Sequence, residues 1–202
     1  MDNAVALVQA YLRINGYFTV TEFQVLASGD DGFHSVTDVD VLAFRFPRTG
    51  DHEPRSRQLV REVAFDIDPE LAGERSAADM IVGEVKEGVP KLNAAARNPA
   101  VLTAVLTRFG CCSPEEAPAA IQALAQKGSA VLPNGHQIRM LVFAPASRGQ
   151  VKTAYRLVSL GHVVQFLQAH LRDHWEVFRH AQWKDPAFGF LATIEKALRK
   201  PE

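Results

Sequence analysis

The sequence predicts an α/β fold in which strands are buried between helices, and three observations point to it. Residues 79–87 and 137–145 each carry a short apolar run bounded by turn-forming residues. The second of these is apolar on both faces, as a central strand must be when helices cover both sides of its sheet. Other stretches place apolar residues every three or four positions, which is the helical period, and they alternate with the strand-like runs along the chain.

With 202 residues, 47% of them hydrophobic and 22% charged, the chain can bury a substantial core as one domain with appendages. It has no apolar run long enough to span a bilayer, and Met1-Asp-Asn-Ala lacks the basic start of a secretory signal. Cys111 and Cys112 are adjacent, which suits neither a disulfide framework nor a C-x-x-C motif, so a reducing, cytoplasmic setting is expected, with no membrane partner. A net charge of -1 argues against a surface that grips nucleic acid all over. Acidic residues outnumber basic ones up to position 135 and the balance reverses from His136 onward, so phosphate contact from the C-terminal part is compatible with the sequence.

Residues 2–15 read as a first helix, capped by Asp2 or Asn3 and ended by Asn15-Gly16. Residues 17–26 are rich in aromatic and β-branched side chains and read as a first strand. A turn over 27–36 and a second strand over 37–46, closed by Pro47, follow. That second strand holds Asp38 and Asp40 on one side, continuing as Leu42 and Phe44. Residues 49–78 are long and polar, and read as an insertion of the kind that serves as a lid, a recognition loop or plain surface. Helices are expected over 99–109 and 113–127, the second opened by the capping box Ser113-Pro-Glu-Glu116. Pro133-Asn-Gly-His136 turns the chain into the strand at 137–145. A long helix from 151 to about 181 and a shorter one over 188–199 close it, so residues 1–150 form the core and 151–202 a helical extension packed on it.

The chemistry concentrates in Asp79-Met-Ile-Val-Gly-Glu-Val-Lys-Glu87. Side chains alternate along a strand, so Glu84 and Lys86 project from one face at the end of an apolar run. Charges removed from water persist only if they neutralise each other or hold something, although a solvated surface pair has the same spacing. His170-x-x-x-His174 has metal-ligand spacing on a helix, but no third ligand is in view. The two cysteines read as small core hydrophobes.

The order helix, strand, strand with Asp, strand with Glu-x-Lys, helix, strand resembles the PD-(D/E)XK nuclease superfamily over residues 5–144. Thr37-Asp-Val-Asp-Val-Leu-Ala43 and Ile81-Val-Gly-Glu-Val-Lys86 carry the likeness, with Val39 standing where many members have Pro. The resemblance implies a restriction-endonuclease-like three-layer core, a central mixed β-sheet flanked by helices. It also implies a metal-dependent DNA endonuclease or exonuclease, with Asp40 and Glu84 holding Mg2+ (or Mn2+) and Lys86 orienting water or stabilising the transition state. Asp38, facing the same way, is the alternative to Asp40. No glutamate faces inward from the first helix to supply a further ligand. Lys91 and Arg148, each just past a strand, are candidate phosphate contacts. A catalytically silent nucleic-acid-binding or assembly module of the same fold is the alternative function, and self-association is compatible with either.

Overall fold

Helix α1 (Asn3–Ile14) starts where Asp2 accepts the Ala4 N–H at 2.9 Å, satisfying a donor that the first helical turn leaves orphaned. It ends at Asn15, and Gly16 then takes a positive φ of 84° that releases the chain into the sheet. The computed structural model of the protein describes residues 2–47, 67–71, 73–74, 76–90, 92–145 and 154–199.

Strands β1 (Phe18–Gly29) and β2 (Gly32–Arg45) form an antiparallel hairpin in which Gly29 pairs with Gly32 across Asp30-Asp31. The turn is thus far shorter than the expected 27–36. The hairpin tip projects beyond the helices and is exposed on both faces, so it lacks the polar-apolar alternation that betrays a half-buried strand. Strand β3 (Asp79–Val85) is buried at all seven positions, antiparallel to β2 and parallel to β5 (Gln137–Ala144). Helices α2 (Pro99–Arg108) and α3 (Ala117–Lys127) lie between them in sequence. The capping box forms one turn ahead of α3: Glu116 accepts the Ser113 N–H at 2.9 Å and donates its own N–H to Ser113 Oγ at 3.3 Å.

Two further strands share one edge of β5. Strand β4 (Ser129–Val131) pairs antiparallel with its first half, and β6 (Arg156–Ser159) parallel with its second half, giving a six-stranded mixed sheet. Neither was expected. The 151–181 helix is corrected accordingly: its start is strand β6, followed by α4 (Leu160–Asp173) and the short α5 (Trp175–Phe178). Leu157 and Leu160 stand three apart and mimic the helical period, while Ser159 caps α4 by accepting the His162 N–H at 2.9 Å. Helix α6 (Pro186–Leu198) is capped by Asp185.

The sheet separates two cores. On one side, Val8, Tyr11 and Leu12 of α1 pack with Ile81, Leu141, Phe143 and with Val163, Leu167 and Phe188 of the C-terminal helices. On the other, Leu42, Val82, Met140 and Val142 pack against Leu102, Leu106, Ile121 and Leu124 of α2 and α3. No helix among the described residues is long and apolar enough to cross a membrane.

Candidate functional site

The last β2–β3 pair is Val41 with Gly83, and one step further the register sets Asp40 opposite Glu84. There β3 keeps its other neighbour, since the Lys86 N–H continues the parallel ladder by donating to the Phe143 carbonyl at 2.8 Å. The Val85 N–H points the opposite way, toward β2, and donates to Asp40 Oδ2 at 2.7 Å instead of to a backbone carbonyl. A carboxylate thus replaces main chain where the two strands part. Glu84 is almost fully buried, and its Oε1 accepts from Lys86 Nζ, whose side chain remains about one-third exposed.

Burial raises the Asp40 carboxyl above its ordinary pKa, against the Val85 N–H and the Lys86 charge, which both lower it. Glu84 is raised for the same first reason, and the nearby Asp40 charge adds to the effect while Lys86 opposes it. Asp38 also repels both carboxylates, but it is itself exposed and paired in register with Gln24 of β1. The N-cap Asp2 acts on Asp40 in the same sense, so the start of α1 brings a carboxylate charge to bear on the site even though no glutamate does so from that helix. Among the described residues, no three His, Cys, Asp or Glu side chains gather as a metal-ligand group. The donor set nevertheless fits a hard dication, because magnesium is commonly held by one or two carboxylates with the remaining positions left to water and substrate oxygens.

Glu22 of β1 has a φ of 53°, the one positive value among the described non-glycine residues. It falls between the pairs Thr21–Val41 and Phe23–Val39, directly across β2 from Asp40. Beside Lys86, an open depression of about 500 Å³ is lined by Leu92, Asn93, Ala94 and Arg97. Lys91, Arg148 and residues 49–66 of the insertion lie outside the described residues.

Other charged groups have structural partners. Asp79, at the opposite end of β3 and fully buried, accepts two hydrogen bonds from Arg139, at 2.9 and 2.6 Å, and one from the Tyr17 hydroxyl, with Arg45 3.8 Å away. Asp68 closes the insertion onto α1 and α4, accepting from Tyr11 at 2.8 Å and lying 2.6 Å from His162 Nε2. The sequence contained a hint of the first network in Arg45 and Arg139, charges set inside otherwise apolar strands. Among the described residues of the basic C-terminal part, four arginines are paired: Arg156 with Glu70, Arg172 and Arg199 with Glu195, Arg179 with Glu176. His170 lies in an aromatic stack, 6.0 Å from Phe166 and 4.6 Å from His174 between ring centroids, and burial lowers its pKa to about 4. Cys111 and Cys112 are buried, and burial pushes the Cys111 thiol up to about 11, far from a reactive thiolate.

No protein family, no curated protein and no solved structure matches the chain.

Proposed function

We propose that the protein is a metal-dependent nuclease built on a restriction-endonuclease-like core, cleaving phosphodiester bonds at Asp40, Glu84 and Lys86. The observation that carries this reading is the opposed pair Asp40 and Glu84 at the parting of β2 and β3, with Lys86 beside them. Its support from the fold is the strand arrangement: β2 antiparallel to β3, β3 parallel to β5, and helices on both faces.

Two carboxylates that repel each other, Asp40 half-buried and Glu84 almost fully buried, form a site short of positive charge, which is what a dication supplies. Asp40 and Glu84 would hold Mg2+ or Mn2+, and the ion, when bound, would provide Lewis acidity and lower the pKa of water. The protein's own groups act around it. Val85 N–H fixes the Asp40 carboxylate through Oδ2, leaving Oδ1 for other partners. Lys86 neutralises Glu84 in the resting state, and its ammonium is close enough to the surface to reach a phosphate oxygen as negative charge grows there.

The test is calorimetric titration of Mg2+ and Mn2+ into the wild type and Glu84→Ala, together with cleavage of single-stranded, duplex and branched DNA. Saturable binding that Glu84→Ala abolishes, with metal-dependent cleavage, is expected. Wild type and Glu84→Ala that bind the ions equally poorly and cut none of these DNAs would end the nuclease assignment and leave the silent module in its place.

A further inference from the structure

The depression beside Lys86 does not end at Arg97. A second one, of about 390 Å³, shares Leu92 and Arg97 with it and continues between Leu124 and Ala125 of α3, Met140 of β5 and Tyr155. The two spaces together form a track that leads away from the Asp40–Glu84–Lys86 cluster. Their linings differ in character. The first is open, with Lys86, Asn93 and Arg97 as its polar groups, whereas the second is walled by aliphatic side chains and one aromatic ring.

Arg97 stands at the junction. It is exposed, its guanidinium carbon lies 5.7 Å from the centroid of the Tyr155 ring, and it enters no ion pair with another described residue. The ring below is held from behind, since the Tyr155 hydroxyl donates to the Pro90 carbonyl at 3.4 Å. A planar cation supported on a ring presents its outer surface for stacking and its edge N–H groups for phosphate, so one residue can serve a base and its backbone together.

We propose that the second depression receives one unpaired base of the strand being cut, with Arg97 holding the phosphate next to it; the substrate is then single-stranded or locally unpaired beside the scissile bond. The inference rests on the nuclease reading and names its substrate class. Three features select a base over other occupants. The volume falls in the range of about 300–1,000 Å³ usual for small-molecule sites. The walls are apolar, as a stacking face requires, and among the described lining residues the one charge is the Arg97 cation, beside which the backbone would pass. A base inside an intact duplex cannot enter, because reaching such a pocket means leaving the stack.

Binding separates this inference from the catalytic one. Fluorescence anisotropy without added metal compares a short oligothymidylate with an abasic deoxyribose-phosphate strand of equal length, for the wild type, Arg97→Gln and Ala125→Trp. Ala125 is exposed on α3, so the tryptophan fills the pocket from outside the core, and circular dichroism checks that each variant is folded. The wild type is expected to prefer the base-bearing strand by on the order of tenfold, the scale of one stacked base. Ala125→Trp should erase that preference, while Arg97→Gln weakens binding of both strands. Equal affinity of the wild type for both strands, or a preference that survives Ala125→Trp, overturns the proposal. Cleavage of DNA without base-sensitive binding removes only the pocket assignment, whereas base-sensitive binding without cleavage keeps the pocket and removes the hydrolytic reading.

Discussion

Burial lifts the Asp40 and Glu84 carboxyls above their values in an unfolded chain, so each binds protons more readily when folded. Stabilisation from such a group is complete below the unfolded pKa and is lost as pH rises through the folded one. Near neutrality both carboxylates therefore work against the fold. Asp40→Asn, which can still accept the Val85 N–H, should melt at a higher temperature than the wild type at neutral pH. The difference should vanish in acid, and a melting series across pH measures it. Activity should move the other way, rising with pH as the two carboxyls ionise, at a pH above the ordinary carboxylate range. Lys86 has a different signature. On the proposed mechanism its charge acts chiefly in the transition state, so Lys86→Ala should leave metal affinity nearly unchanged while turnover falls about 10²- to 10³-fold. The residues of this trio were legible in the sequence because charges inside apolar strands are costly enough to be conspicuous. Asp79 was not legible as a buried group: it read as the boundary of β3, and only folding shows that Arg139 and Arg45 converge on it. Replacing it by Ala strands two buried guanidiniums and should cost about 3–5 kcal/mol in a denaturant melt.

Individual elements were recoverable where a helix or strand buries one stripe or both faces, and were lost where tertiary pairing alone defines them. Helices α1, α2 and α6 have caps and periodic apolar positions that can be read directly. Strands β4 and β6 have three and four residues, too few for any period, and exist because β5 offers them an edge. They meet almost end to end at Gly128, which has a φ of 68° and where a Cβ would come within 2.0 Å of the Ala154 carbonyl oxygen. Both the left-handed backbone and the close approach exclude a side chain. Gly128→Ala should destabilise the protein by about 2–4 kcal/mol, combining the left-handed penalty with overpacking, again by denaturant melt. Tyr155 begins the segment that this collision would displace, so the same variant should also weaken any binding in the pocket beneath Arg97.

Across the whole molecule, charge distribution is more restrained than the sequence balance suggested. The excess of Lys and Arg after His136 could be counted, but the pairing of Arg172 with Glu195 depends on α4 packing against α6, and that of Arg156 with Glu70 on where the insertion meets β6. A strand held mainly by Lys86 and Arg97 releases few counterions. The logarithm of affinity for single-stranded DNA against the logarithm of salt should therefore slope at about -1 to -2, at roughly 0.7 per phosphate contact. A slope steeper than about -3 would require additional cations on the strand. The two sides of the sheet also differ as templates for another chain. One border is divided between two short strands, while the other, β1, runs for twelve residues with Phe18 68% and Val20 42% exposed. Long apolar borders of this kind invite a neighbouring chain to add itself strand by strand. The left-handed backbone at Glu22 and the register shift after Val25 break that template into pieces too short to copy. The distortion facing Asp40 thus doubles as a guard against fibre growth. Glu22→Val, whose branched side chain resists a positive φ, should straighten the border and make the protein associate with rising concentration, as light scattering would register.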